Sequence, residues 1–357
     1  MTRKTGHLFR FGVGIVLAGI SVLLWSLGST ERSPTATGDE SFEAGAWVFD
    51  KVWSLPLEYA HGLASGDVDG DGHAEVLVCH SSSVEILGQD GESKGVLKLG
   101  VEITHVEVGR GAAGPVCLGY TTWGDKVVAF SAVVGEVLWT RRTPVGVDGA
   151  HWGDLDADGV DEAIIGLNGS GGLLAVDSDG QDLWSYSSIG NVWSQAVIPA
   201  SLEQPARVFA THAEGTVVEL NSNGQFQREL PDLGYVAPMN ATRMAPTGDI
   251  QLVVQVDVPS YVFLSSKVML GLDLTGAEIW RLPVDKDADW QTSSFAHGDL
   301  NGDGADEWVV PGSNNSLVVM SQGGQRLGTV SLPSEIVTLT VTPEGNAHEI
   351  RQPQSEV

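Results

Sequence analysis

A chain of 357 residues with 42% hydrophobic side chains is long and apolar enough to bury a core, which excludes a disordered polypeptide. Its 46 Asp and Glu against 19 Lys and Arg give a net charge of −27, a surface that repels phosphate backbones and so excludes nucleic acid as a partner. The 45 glycines favour many turns over long helices, and the two cysteines, Cys79 and Cys117, form no CxxC pair that would suggest zinc or dithiol chemistry.

Residues 1–10 carry Arg3, Lys4 and Arg10 and read as a basic cytoplasmic region. Residues 11–28 then run without a charge, longer than a signal-peptide core of roughly 7–15 residues and near the length that crosses a bilayer as a helix. They are predicted as one N-terminal helix, either an uncleaved transmembrane anchor or a cleaved signal. Both readings export the rest of the chain, to the cell envelope or into the medium. Residues 29–46, rich in Ser, Thr, Gly, Glu and Pro, read as a flexible linker.

The next 311 residues, 47–357, are organised around acidic loops. The best-formed has Asp154, Asp156 and Asp158 at alternate positions, then Gly159, then Glu162, followed at once by the apolar run Ala163-Ile164-Ile165. Carboxylates two apart on a curled loop can turn onto one hard cation, and calcium takes six to eight oxygens in irregular geometry. The loop begins like an EF-hand, but its Glu comes too early and a short β-branched run follows, so it reads as a hairpin between strands. Two further copies exist. Asp67, Asp69, Asp71 and Glu75 lead into Val76-Leu77-Val78, and Asp299, Asn301, Asp303 and Glu307 lead into Trp308-Val309-Val310. His73, Val160 and Ala305 sit where a backbone carbonyl would add one more oxygen to each set. Up to three Ca2+ ions are therefore expected.

The first acids of the three loops, at 67, 154 and 299, are spaced as multiples of a unit of roughly 45 residues, a period typical of propeller blades. Decayed copies fill the gaps, as at Gly109–Gly114 before Pro115-Val116-Cys117-Leu118 and at Pro246–Asp249 before Ile250-Gln251-Leu252. Each unit also repeats a strand, a glycine turn and a strand ending in Trp: Ala129-Phe130 through Gly135 to Trp139, Ala175-Val176 through Gly180 to Trp184, and Gly271-Leu272 through Gly276 to Trp280. Seven unit starts can be counted, the last without its second half, while Trp47–Pro56 resembles an orphan second half. The expectation is an all-β, seven-bladed β-propeller closed by N-terminal strands and preceded by the N-terminal helix.

These loops and Trp-ending strands resemble the FG-GAP/VCBS-type repeat, the repeat of the integrin α N-terminal propeller. The resemblance covers residues 47–357 and implies calcium in the first hairpin of a blade, on one face of the ring. Four units lack the acids, so it implies calcium in three blades only. The ions would stiffen the scaffold, which directs recognition to the opposite face. Stretches expected there carry Tyr59, His80, Trp123, Trp193, His212, Tyr235, Tyr261 and Trp290, and a long insertion spans Asp257–Lys267. Asp285–Trp290 partly echoes the acidic pattern without its Gly and Glu. His61, His151 and His297 precede the three acidic loops in different registers and read as ordinary strand histidines. Among catalytic signatures, no G-x-S-x-G, Walker loop or H-E-x-x-H occurs. The expected function is an interaction or adhesion module for a protein or glycan ligand, membrane-tethered through its N-terminal segment. The alternatives are a carbohydrate-active lyase or hydrolase on the same scaffold, or an envelope assembly scaffold.

Overall fold

The computed structural model describes residues 12–13, 20–28 and 48–57 and then 60–351, apart from short gaps at 213–214, 216, 232, 246, 259–265, 285–294, 313–315, 332–335 and 342–345. Every element among the described residues is a strand. Six sheets of four antiparallel strands follow one another along the chain, at 63–98, 105–142, 147–186, 192–229, 235–284 and 296–331. They are called here blades one to six.

In each blade the strands are hydrogen-bonded in chain order. In blade three, for example, Val147–Gly153, Glu162–Leu167, Gly172–Val176 and Asp182–Tyr186 form the sheet. Its second and third strands are buried along their whole length, whereas the outermost is largely exposed. That contrast explains the sequence pattern. A strand covered on both faces by neighbouring blades needs a continuous apolar run, and an edge strand does not. The core accordingly lies between blades. Ile164, Leu173 and Ala175 of blade three pack with Val208, Ala210 and Leu220 of blade four.

The third and fourth strands of all six blades share one irregularity, a register shift at the turn end, as between Ala175 and Val176 or Gly271 and Leu272. Beside it sits a glycine with left-handed backbone: Gly180 at φ 77°, Gly224 at 71°, Gly324 at 84°. These glycines explain the Trp-ending strands. A Cβ on Gly180 would lie 2.9 Å from Cδ2 of Trp139, which belongs to the preceding blade. Trp139 Nε1 donates to Ser178 O in the same turn, at 2.9 Å. Trp184 covers Gly224 and donates to Ser222 O at 2.8 Å. Trp280 covers Gly324 likewise. The repeated Trp is thus a latch from one blade onto the turn of the next.

Two expectations are corrected. Among the described residues there is no N-terminal helix: Gly12–Val13 and Ile20–Gly28 are strands, and no helix among them is long and apolar enough to cross a membrane. The seven four-stranded blades are six. The remaining strands, Gly12–Val13, Ile20–Gly28, Val48–Leu57, Ile336–Val341 and Asn346–Arg351, form a five-stranded sheet from both chain ends. In it, Ile20–Gly28 lies between Asn346–Arg351 and Val48–Leu57, so the N-terminal strands do not complete a blade in the way the repeat count implied. The physical reason is the free edge of Asn346–Arg351. Its backbone groups need partners, and an apolar run containing Ile20 and Val22 supplies a ladder that a helix cannot. Ser65 Oγ of blade one donates to Val341 O at 3.1 Å and lies 2.9 Å from Thr340 Oγ1, joining this sheet to the first blade.

Candidate functional site

The three acidic loops occupy equivalent positions, between the first and second strands of blades one, three and six. Their hydrogen bonding is the same in all three. In blade three, Asp154 Oδ1 accepts from Ala157 N at 2.6 Å and its Oδ2 from Gly159 N at 3.0 Å. Asp156 Oδ1 accepts from Asp158 N, Asp158 Oδ1 from Val160 N, and Glu162 Oε2 from Leu155 N at 2.7 Å. In blade one the matching acceptors are Asp67, Asp69, Asp71 and Glu75, with His73 N donating to Asp71. In blade six they are Asp299, Asn301, Asp303 and Glu307, with Ala305 N donating to Asp303.

Asp156, Asp158 and Glu162, like Asp69, Asp71 and Glu75, each have one oxygen tied to backbone and one beyond it, whereas both oxygens of the first Asp of each loop accept from backbone. Ligand atoms of Asp154, Asp156 and Glu162 lie within 4.8 Å of one another, as do those of Asp67, Asp69 and Asp71. Two oxygens on one calcium at 2.3–2.6 Å satisfy that separation, so the donor sets fit the ion.

The loops differ in their electrostatics. Glu162 is pushed up to about 7, by burial first and then by Asp156, Asp158 and Asp154, against the lowering effect of its bond from Leu155. Glu307 is likewise pushed up to about 7 by burial and by Asp303, Asp299 and Asp306. Arg110, on the inner strand of blade two, reaches the flank of the blade-three loop, 2.7 Å from Asp161 Oδ1 and 3.5 Å from Asp154 Oδ2. In blade six, Asn301 Nδ2 donates to Glu307 Oε1 at 3.1 Å. In blade one, Lys94 Nζ sits 2.7 Å from Glu75 Oε1 and 2.8 Å from Asp69 Oδ2. Sequence reasoning missed Arg110 and Lys94 as partners of the loops. Each is a single basic residue distant in sequence from the acids it meets.

The histidines ahead of the loops take three different partners. His61 Nε2 lies 2.9 Å from Ser81 Oγ, His151 Nδ1 3.0 Å from Glu107 Oε2, and His297 Nδ1 2.8 Å from Asp306 Oδ2. Burial opposes the charged form of His151, but Glu107 outweighs it and leaves the pKa raised. His105, which the sequence did not single out, stacks on Tyr120 with ring centroids 4.8 Å apart, and crowding by its neighbours, with help from His151 and His61, lowers its pKa. Cys79 and Cys117 are free and buried, and burial pushes Cys117 up to about 12.

Loops joining second and third strands lie at the other end of each sheet. Of the aromatic and histidine side chains expected there, Tyr59, Tyr261 and Trp290 lie outside the described residues, as do the side chains of His212 and Tyr235. Most of the insertion between Asp257 and Lys267 and all of Asp285–Trp290 lie outside them too. His80 is partly buried, with Nε2 3.3 Å from Glu85 Oε2, and Trp193 is partly buried on the inner strand of blade four.

Trp123 is different. Its side chain is 67% exposed, and its backbone is left-handed at φ 65°. Its N–H donates to Val147 O at 2.7 Å, and its indole lies near enough to the Asp148 carboxylate to favour the charged form. Burial raises the Asp148 pKa, opposed by the bond from Asn168 and by Trp123. Gly146 is required here, since a Cβ on it would come within 2.9 Å of Trp123 O. A bulky residue adopts this backbone only when its surroundings compel it.

Comparison with solved structures supports the architecture. The fold is a β-propeller. A crystal structure of BBS1N in complex with ARL6DN, soaked with lead, matches with a TM-score of 0.62 and 13% identity, covering 84% of this chain and 94% of that one. The same complex soaked with mercury matches with a TM-score of 0.61 and 13% identity, covering 83% and 93%. At such identity the likeness concerns the fold alone. No protein-family model matches the chain. No curated protein matches either.

Proposed function

We propose that the chain is a protein-interaction module, a β-propeller whose acidic loops are calcium clamps of FG-GAP/VCBS type on one face and whose partner docks on the other. The observation that carries the reading is Trp123. An indole two-thirds exposed costs solubility, and here its residue is also held in a strained backbone by the bond from its N–H to Val147 O. A rigid, exposed Trp is the residue type most enriched at interface hot spots, because little rotamer entropy is lost on docking.

The polar groups beside the ring favour a protein over a glycan. Asp148 Oδ1 accepts from Asn168 Nδ2 at 3.2 Å, and Asp125 is paired with Arg142 at 2.5 Å. These groups bond one another, which leaves the apolar ring face as the main element on offer. The matching propeller BBS1N is itself found with a protein, ARL6DN, which suits a protein ligand here.

Calcium's role in this reading is structural. The like charges of each hairpin repel, and an ion bound only by the folded chain stabilises it by linkage. The same proposal puts the propeller outside the cytoplasm, where calcium is abundant. Its support is the calcium reading of the three acidic loops.

The test is photo-crosslinking from Thr122 of the full chain, followed by binding of the captured protein in purified form. Replacement of Trp123 by Ala is expected to weaken that binding by at least ~2 kcal/mol. Equal binding by Trp123→Ala, or binding to oligosaccharides on a glycan array in place of a protein, overturns the reading.

A further inference from the structure

The three acidic loops share their backbone bonding but differ in what meets the remaining oxygens. In blade one, Lys94 Nζ lies 2.8 Å from Asp69 Oδ2, 3.4 Å from Asp71 Oδ2 and 2.7 Å from Glu75 Oε1. The opposite oxygens of these groups are already used: Asp69 Oδ1 by Asp71 N, Asp71 Oδ1 by His73 N, and Glu75 Oε2 by Val68 N. The ammonium thus takes the three oxygens that the loop backbone leaves free. Three donors on a compact charge match three acceptors, which is how Lys differs from the planar fork of Arg.

We propose that Lys94 is the resident cation of the blade-one loop, so that this loop closes without a divalent ion while its counterpart in blade three depends on one. The inference rests on the calcium reading above and refines it. An ammonium and a divalent ion cannot share the same three oxygens, because like charges at that separation repel and each needs those ligands.

The outer strands supply the contrast. Lys94 follows the turn glycine Gly91 by the same number of residues as Leu183 follows Gly180 and Leu327 follows Gly324. Among the described residues, no Lys or Arg nitrogen pairs with Asp156, Asp158 or Glu162; Arg110 stays at Asp154 and Asp161. A single residue on the edge strand therefore decides whether a hairpin neutralises itself. That gives the ring one self-closed clamp beside the metal-dependent clamp of blade three, and makes its response to calcium local to particular blades.

Calcium titration by calorimetry on the full, chelator-stripped chain tests this, with calcium chloride as the probe. Lys94→Met is expected to bind one more ion than the parent. Leu183→Lys, which places an amine at the matching position of blade three on a residue already 49% exposed, is expected to bind one fewer. A parent chain that binds three ions overturns the proposal, as does Lys94→Met with an unchanged count. If Lys94→Met does not fold, Leu183→Lys decides: an unchanged count there overturns it. Absence of calcium binding by the parent and both variants overturns the calcium reading itself, an outcome distinct from three ions in the parent.

Discussion

Replacing Gly180 by Ala should destabilise the propeller far more than replacing Gly248 by Ala, although the two backbones are similarly placed. Gly180 has φ 77° and Gly248 φ 70°, so either substitution forces an L-residue into the left-handed region at about 1–2 kcal/mol. The surroundings differ. A Cβ on Gly248 meets nothing within 4 Å, whereas one on Gly180 lies 2.9 Å from Cδ2 and 3.0 Å from Cγ of Trp139. Carbon atoms prefer about 3.5–4.0 Å. The indole must therefore shift, which also strains its Nε1 bond to Ser178 O, worth about 0.5–1.5 kcal/mol. With the overpacking cost of about 1–3 kcal/mol, Gly180→Ala should total roughly 2.5–6.5 kcal/mol against roughly 1–2 for Gly248→Ala. Denaturant midpoints of the two full-length variants, measured side by side with the parent, give the ranking without assuming two-state unfolding. Equal midpoints for the two variants would refute the inter-blade latch.

Two other substitutions probe the acidic loops. Ala157 has φ 69° where the sister loops have Gly70 at 79° and Gly302 at 76°, so Ala157→Gly should stabilise by roughly 0.5–1 kcal/mol net of glycine's entropy. A lowered melting temperature for that variant would contradict the strain argument. In chelator, folded Glu162 keeps its proton to about pH 7, whereas an unperturbed glutamate loses it near 4.5. The folded state then binds more protons across that window, so this group's contribution falls as pH rises from about 4.5 to 7. Glu162→Gln should remove the fall and gain about 1–3 kcal/mol over the parent at pH 8, with little gain at pH 4.5. A pH-independent difference between the two proteins would sink that assignment.

The parts of this fold legible from sequence were those set by local chemistry. Alternate acids, a glycine and an apolar run define a hairpin by themselves, and all three such hairpins stand between first and second strands. Trp139, Trp184 and Trp280 could be seen to recur, but their purpose lay in the next blade, on Gly180, Gly224 and Gly324, where a sequence shows no contact. Lys94 was invisible for the same reason, since nothing near it in sequence distinguishes it from an ordinary edge-strand lysine. The chain ends were misread because a charge-free run satisfies two solvents. Residues 20–28 are apolar enough for a bilayer helix and equally for a strand covered on both sides, and only the open edge of Asn346–Arg351 discriminates. Trp123 was one of eight residues proposed for the binding face, and its strained backbone and bond to Val147 O depend on a neighbouring blade.

The account turns on whether the acidic hairpins need calcium to hold the ring together. Thermal unfolding of the full chain after chelation, and again after adding back calcium or magnesium, measures this directly. The account predicts a lower melting temperature in chelator, restored by calcium and not by magnesium. An identical melt in all three conditions would contradict it.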